Sequence, residues 1–155
     1  MDRKAIQIEE LLKQENVRIL DTVSDWKDAI KVAITPLIEQ GYCEQRYIDG
    51  IIENTYKFGP YYVLCEDLAL IHAEADKGVI STQLAITVLK NPVKFKADGF
   101  DVRVLIALGA TDSEAHLYAM QAISNIFADA KRVSKIVNAT STEEIYKEFI
   151  LSVDV

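Results

Sequence analysis

A nearly continuous apolar run over residues 102–108, Val-Arg-Val-Leu-Ile-Ala-Leu, constrains the fold of this chain more than any other segment. A run of this kind is typical of a strand that lies in the middle of a sheet and is covered on both faces. A shorter apolar run over residues 61–65, a β-rich stretch over 81–89 and an alternating stretch over 17–20 predict three further strands. We therefore expect a sheet with residues 102–108 at its centre.

Apolar residues at helical spacing predict helices both before and after this cluster of strands. The predicted helices cover residues 5–14, 26–38, 44–56, 113–127, 131–138 and 142–150. Ser24 is the expected cap of the second helix, Ser141 and Glu144 have the spacing of a capping box, and residues 66–78 predict a loop. Because strands and helices do not alternate strictly, we expect an α/β fold with a mixed central β-sheet flanked by helices on both faces, a three-layer α/β/α sandwich.

The length of 155 residues predicts a single domain over residues 1–155, since a domain averages about 150 residues. Lys and Arg number 17 against 24 Asp and Glu, a formal net charge of −7. This charge argues against a nucleic-acid binder and against docking on anionic lipid, because both need a basic face. Direct membrane insertion is not expected, since no apolar run approaches the roughly 18 residues that span a bilayer.

The expected location is cytoplasmic. The first ten residues include charged side chains throughout and do not predict a signal peptide. Cys43 and Cys65 are the only cysteines, so they form no disulfide framework and predict two reduced thiols.

The two histidines are the main candidates for a reactive centre. The sequence has no glycine-rich phosphate loop, no dinucleotide fingerprint, no paired-cysteine zinc motif and no nucleophile elbow. His72 follows a predicted strand on a predicted loop, where its imidazole can act as a neutral nucleophile near pH 7 or be an ordinary surface group. His116 lies in the first turn of a predicted helix, where it can help to hold a phosphoryl group carried by another residue or simply face solvent.

Arg46 and several acidic residues are weaker candidates. Arg46 begins the helix over residues 44–56 and can either contact a phosphoryl group with two N–H groups or pair with nearby acids. Acidic residues surround His72 in the sequence and could bind a cation together with the histidines, although their spacing is not diagnostic of a metal site. They are Glu66, Asp67, Glu74 and Asp76.

Three consecutive segments resemble the active-site region of the enzyme IIA components of the sugar phosphotransferase system. They are Gly-Pro-Tyr-Tyr-Val-Leu at 59–64, Leu-Ala-Leu-Ile-His-Ala at 68–73 and Gly-Val at 78–79. The similarity is to the mannitol/fructose type and, within it, to the ascorbate-like branch. Further segments continue the resemblance in the expected order, at residues 46–47, 91–95, 102–108, 112, 116, 120–123 and 125–127.

The chain departs from this family around the histidine. Ile71 stands where the family usually has Pro, Glu66-Asp67 where it usually has Pro-Gly, and Glu74 where an Arg often follows. These changes make the predicted loop more acidic and more flexible, and we expect them to slow phosphoryl transfer or to repel a donor.

The resemblance implies a phosphoryl relay on an α/β sandwich. The phosphocarrier HPr would phosphorylate His72, which would pass the group to a cysteine of enzyme IIB for uptake of a sugar or a sugar acid such as L-ascorbate. His116 would be the second active-site histidine and Arg46 a weaker positive contact, with no metal and no cofactor required. We expect partners to dock on an apolar patch beside the histidine, for which Leu68, Leu70 and Ile71 are the candidates.

Three other functions compete with the transport relay. The first is a regulatory relative of the same fold, in which phosphohistidine is a signal read by a transcription regulator or a kinase. The second is a binding module that has lost phosphoryl transfer but keeps its docking surface. The third is a metal site built from the histidines and the acidic residues around them.

Overall fold

The strands of this protein form one mixed sheet, as described by a computed structural model that covers residues 8–151. The strands are β1 (Leu12–Leu20), β2 (Val63–Cys65), β3 (Leu68–Ile71), β4 (Gln83–Lys94) and β5 (Asp101–Gly109). Their order across the sheet is β1-β4-β5-β3-β2. β1 is parallel to β4 and β3 is parallel to β5, whereas β4–β5 and β2–β3 are antiparallel pairs. The predicted mixed sheet is confirmed.

Helices cover both faces of the sheet. They are α1 (Ile8–Leu11), α2 (Trp26–Glu39), α3 (Arg46–Phe58), α4 (Ser113–Phe127), α5 (Ala130–Val137) and α6 (Thr142–Leu151). α2 and α3 build the core of one face, with Ile30 and Ile51 fully buried, while α4, α5 and α6 build the core of the other around Ile126 and Ile136. The predicted three-layer arrangement is confirmed. Within residues 8–151, no helix is long and apolar enough to cross a membrane.

The apolar run over residues 102–108 forms the central strand β5, as predicted. β5 lies between β4 and β3, so both of its edges are paired. Its side chains alternate between the two cores: Val104, Ile106 and Leu108 pack on the face of α4, and Leu105 and Ala107 pack on the face of α2. A run that is apolar at successive positions suits this strand because each face meets a hydrophobic layer.

The prediction of a loop over residues 66–78 is wrong for Leu68–Ile71, which form β3. This strand pairs with β5 from Leu68 opposite Val104 to Ile71 opposite Ala107, and with β2 on its other edge. Four residues are too few to show a periodic pattern, and the flanking residues are small or acidic. The strand depends on its two neighbours in the sheet, which lie elsewhere in the sequence.

Two boundaries also differ from the prediction. The helix expected over residues 5–14 ends at Leu11, because β1 begins at Leu12. Residues 5–7 of the predicted helix lie outside the described residues. The strand predicted over residues 81–89 is β4, which continues to Lys94, past an irregularity in its pairing with β5 between Val88 and Val93. A proline is tolerated there because the ladder is already interrupted.

Capping residues set the starts of two helices. Asp25, not the predicted Ser24, caps α2, because its carboxylate accepts a hydrogen bond from the Asp28 backbone N–H at 2.9 Å. The capping box of α6 is confirmed: the Glu144 N–H donates to Ser141 Oγ at 3.3 Å, and the Ser141 N–H donates to Glu144 Oε1 at 3.2 Å.

Candidate active site

The two histidines meet at one edge of the sheet. His72 directly follows β3, and His116 lies in the first turn of α4, shortly after the end of β5. Because β3 and β5 are parallel, their carboxyl ends lie at the same edge. The two imidazole rings are tilted by 51° with their centroids 5.2 Å apart. Residues that are 44 positions apart in the sequence therefore share one site.

A backbone carbonyl determines which ring nitrogen of His72 is available. Nδ1 of His72 lies 2.6 Å from the carbonyl oxygen of Leu70. Since a carbonyl oxygen can only accept a hydrogen bond, Nδ1 must carry the proton. In the neutral ring, the lone pair is then on Nε2, which is the nitrogen that can act as a nucleophile.

The environment of His72 favours the neutral ring. Burial is the largest effect and lowers the pKa of His72 below its ordinary value. The hydrogen bond to the Leu70 carbonyl opposes burial by stabilising the charged ring, and the nearby His116 lowers the pKa further. Burial outweighs the hydrogen bond, so the ring is neutral at pH 7 and its Nε2 keeps a free lone pair.

Both histidines line a pocket of about 530 Å³. The pocket takes its walls from α3, from the segment after β3, from the end of β5 and from the start of α4. The other lining residues are Asn54, Phe58, Tyr61, Ala73, Glu74, Ala75, Leu108, Ala110, Thr111, Asp112 and Ser113.

Two tyrosines hold the backbone that carries His72. The Tyr61 hydroxyl donates to the His72 carbonyl at 2.5 Å, and its ring packs edge-on against the His72 ring with centroids 5.6 Å apart. Tyr47 is fully buried. Its hydroxyl accepts from the Ala73 N–H at 2.9 Å and donates to the Leu108 carbonyl at 2.8 Å. The segment after β3 is thus tied to α3 and to β5.

The start of α4 contributes the second wall of the pocket. The Asp112 carboxylate caps the helix by accepting from the Ala115 N–H at 2.8 Å. Thr111 is anchored by Thr82, whose Oγ1 accepts from the Thr111 N–H at 3.0 Å. The positive end of the α4 dipole therefore lies at the pocket, where it favours a bound anion.

Arg46 does not line this pocket. Its side chain pairs with Glu44 at 2.5 Å and donates to the Asp76 carbonyl at 2.9 Å. The arginine therefore connects the start of α3 to the 3₁₀ turn at Ala75–Lys77. The structure does not bring it together with the two histidines.

The prediction that Leu68, Leu70 and Ile71 form a docking surface is wrong, because all three are buried. Leu68, Leu70 and Ile71 are exposed by 2%, 0% and 0%, because β3 is covered by helices on both faces and paired on both edges. The exposed apolar side chain that lines the pocket is instead that of Phe58, and Leu117, which follows His116 in the sequence, is exposed as well.

The sequence pattern does not indicate the residues that hold the site. These residues are Tyr47, Asn54 and Tyr61, which lie in a predicted helix and a predicted strand with no sign of a role at the histidine. Nothing in their spacing distinguishes them from core residues, since each acts on a segment that is distant in the sequence. The acidic residues around His72 do not support a metal site: within the described part of the chain, no group of three or more His, Cys, Asp or Glu could hold a metal ion.

Comparison with known proteins places this geometry in context. A family model described as "Phosphoenolpyruvate-dependent sugar phosphotransferase system, EIIA 2" matches residues 10–152. An ascorbate-specific PTS system EIIA component from Mycoplasma pneumoniae is 31% identical over 147 residues, which are 94% of this chain and 90% of that protein.

Solved structures agree with the sequence relatives. The solution structure of the mannitol-specific cryptic phosphotransferase enzyme IIA CmtB from Escherichia coli has a TM-score of 0.85 and 25% identity, covering 94% of this chain and 99% of that one. A complex of enzyme IIAMtl and phosphorylated enzyme IIBMtl from Escherichia coli contains a similar fold, with a TM-score of 0.77, 22% identity and coverage of 90% and 98%.

Proposed function

Since this chain belongs to the EIIA 2 family of the phosphoenolpyruvate-dependent sugar phosphotransferase system, and is therefore a phosphotransferase that carries a phosphoryl group, we propose that Nε2 of His72 is the atom that carries it. The observation that supports this assignment most directly is the contact of 2.6 Å between His72 Nδ1 and the Leu70 carbonyl. It holds the proton on Nδ1 and leaves the lone pair on Nε2.

The proposed donor is the phosphohistidine of HPr. Nε2 of His72 attacks the phosphorus, a new N–P bond forms, and the N–P bond to the donor imidazole breaks and returns its electron pair to that ring. The proton on Nδ1 of His72 stays in place, and its hydrogen bond to the Leu70 carbonyl stabilises the positive charge that develops on the ring. Phosphoryl transfer of this kind depends on positioning and charge stabilisation more than on further covalent chemistry.

His116 is proposed to hold the transferred group. Its ring centroid lies 5.2 Å from that of His72, and both side chains line the same pocket. A ring N–H of His116 can donate to a phosphoryl oxygen, and the positive end of the α4 dipole acts in the same direction. Arg46 has no part in this proposal, because its side chain is engaged outside the pocket.

Enzyme IIB is the proposed acceptor, with a cysteine thiolate taking the group for uptake of a sugar or a sugar acid. The relative named in complex with phosphorylated enzyme IIBMtl supports a partner of this class. An ascorbate-specific relative at 31% identity favours a sugar acid such as L-ascorbate as the transported compound. We propose the cytoplasm as the compartment, since HPr is a cytosolic carrier in the systems that this chain resembles.

The test is the intact mass of the protein after incubation with phosphoenolpyruvate, enzyme I and HPr. We expect one acid-labile phosphoryl group on the wild type, none on His72→Ala, and a slowly acquired one on His116→Ala. Circular dichroism of each variant establishes that it is folded. A folded wild type that gains no phosphoryl group, or a His72→Ala variant that still gains one, would contradict the proposal.

A further inference from the structure

Glu74 is an acidic residue in a site that must accept a negatively charged group. It lies two residues after His72 and lines the same pocket. A phosphoryl group on a protein carries a charge of about −1.5 to −2 near pH 7. A fixed carboxylate beside it is unfavourable, so its presence calls for an explanation.

Hydrogen bonds hold the Glu74 carboxylate in place and keep it ionised. Asn54 Nδ2 donates to Glu74 Oε1 at 3.0 Å, and Asn54 is a buried residue of α3 with only 4% of its surface exposed. The same amide nitrogen lies 3.5 Å from the hydroxyl of Tyr61, which itself holds the His72 carbonyl. The backbone N–H of Glu74 and the Asn54 amide lower the pKa of Glu74, so its charge is present at neutral pH.

The charges around Glu74 do not neutralise it within a tight ion pair. The charge of Lys77 lowers the pKa of Glu74, as the charge of His72 does when that ring is protonated. Lys77 itself pairs with Glu53 at 3.9 Å. Asp76, on the same 3₁₀ turn, is exposed and does not line the pocket. Asn54 therefore holds the charge of Glu74 at the pocket, whereas the charge of Asp76 lies outside it.

We propose that Glu74, held by Asn54, sets the phosphoryl-transfer potential of His72 by repelling the phosphoryl group once it is bound. This inference rests on the proposed function of His72. The carboxylate attracts the positive charge on the phosphorylated ring but repels the phosphoryl group, whose negative charge is larger, so its net effect destabilises the phosphorylated form. It therefore lowers the equilibrium level of phospho-His72 reached with the donor and increases the tendency of the group to pass to the acceptor. Glu74 is thus a residue that tunes the carrier, and transfer can occur without it.

The size of the effect is limited by solvent. Glu74 is exposed, so water and salt screen its charge. A carboxylate and a phosphoryl dianion separated by several ångströms at a surface site are expected to change an equilibrium constant by about 3- to 10-fold. Glu74→Gln is the most informative change, since its amide oxygen can still accept the hydrogen bond from Asn54 while the charge is lost.

The experiment measures the equilibrium constant for phosphoryl exchange between phospho-HPr and this protein. Wild type, Glu74→Gln, Glu74→Lys and the matched control Asp76→Asn are each brought to equilibrium with known amounts of HPr and phospho-HPr, and the phosphorylated fraction is read by intact mass. We expect Glu74→Gln to shift the constant toward phospho-His72 by about 3- to 10-fold, Glu74→Lys to shift it further, and Asp76→Asn to shift it less than about twofold. The difference between Glu74→Gln and wild type should shrink at high salt.

The possible outcomes separate this inference from the proposed function. If wild type is phosphorylated on His72 but Glu74→Gln and Asp76→Asn give the same constant as wild type, the tuning role of Glu74 is wrong and the carrier role stands. A salt-independent shift would assign Glu74 a structural role and also overturn the inference. If wild type is never phosphorylated on His72, both the carrier role and the inference fail.

Discussion

At the scale of single residues, the chemistry depends on how one imidazole is held. The Leu70 carbonyl holds the proton of His72 on Nδ1, and burial keeps the ring uncharged. The two effects act in opposite directions on the pKa of His72, and burial is the larger. In the proposed mechanism, His72 can therefore act as a nucleophile at neutral pH without a separate general base.

The pKa of His72 is expected to lie below the value of about 6.5 that is usual for histidine. NMR titration of the imidazole carbon-bound protons measures it directly. In the unfolded chain His72 has its usual pKa of about 6.5, so it takes up a proton at a higher pH than in the native protein. The free energy of unfolding should therefore fall as the pH drops below about 6.5 and through the native pKa. At pH 6.5 the neutral ring should still be the majority form, so the rate of phosphorylation should fall less there than it would for a histidine with the usual pKa.

The control for this titration is the His116→Ala variant. The charge of His116 lowers the pKa of His72, so its removal should raise that pKa toward the usual value. A wild-type pKa at or above that of histidine in a short peptide would show that burial does not dominate.

At the scale of elements, the short strand β3 positions His72, which is the proposed nucleophile. It lies between β5 and β2, and its four side chains are divided between the two cores. Tyr47 and Tyr61 then hold the segment that follows. The position of His72 is thus determined by a rigid strand and by two hydroxyl groups from other elements.

Leu70→Ala should lower the free energy of unfolding by about 2–5 kcal/mol, because the side chain is fully buried and its loss leaves a cavity. Denaturant unfolding measures the change. The matched control is Leu64→Ala in β2, whose side chain is 41% exposed and whose truncation should cost less than about 1 kcal/mol. Equal losses for the two variants would contradict the central position of β3.

The turn between β2 and β3 is held by an ion pair with Arg103. Asp67 has a φ of +70°, and its carboxylate accepts two hydrogen bonds of 2.9 Å from the Arg103 guanidinium. Asp67→Asn keeps a residue that tolerates positive φ but removes the charge, and should cost about 1–2 kcal/mol in thermal or denaturant unfolding. The exposed pair of Asp101 and Lys94 is the comparison, since Asp101→Asn should cost less than about 1 kcal/mol.

At the scale of the whole molecule, the proposed relay needs a surface that both partners can reach, and we expect the pocket and the exposed side chains of Phe58 and Leu117 to belong to it. Phe58 and Leu117 are each 67% exposed, and neither is needed to cover a core. The formal net charge of −7 suits partners with a basic rim, whose approach it would accelerate at low salt. In the proposed relay HPr and enzyme IIB bind in succession, so an interface of small area is expected.

Phe58→Ser and Leu117→Ser should each slow phosphoryl transfer from HPr by about fivefold or more, while the free energy of unfolding changes little. Rapid-quench measurement of the second-order rate constant tests this. Leu64→Ser is the control, because its exposed side chain lies on β2, neither lining the pocket as Phe58 does nor following a histidine as Leu117 does. An unchanged rate for both variants would show that partners dock elsewhere.

The sequence by itself predicted the layered fold, the central strand and most helices, because these elements carry long periodic or continuous apolar patterns. Residues 102–108 and the helix from Ser113 to Phe127 are the clearest cases. It did not predict β3, since a strand of four residues is stabilised by pairing with β5 and β2 rather than by its own pattern. It also placed the docking surface on Leu68, Leu70 and Ile71, which are core residues.

The same division holds for the site. The sequence singled out His72 and His116, because they are the only histidines and occur in recognisable segments. Only the tertiary structure decided that their rings lie 5.2 Å apart, that Nε2 of His72 is the available nitrogen, and that Arg46 is engaged outside the pocket. The physical reason is that a residue's type is written in the chain, whereas its burial, its hydrogen-bond partners and its neighbours across the sheet come from segments that folding alone brings together.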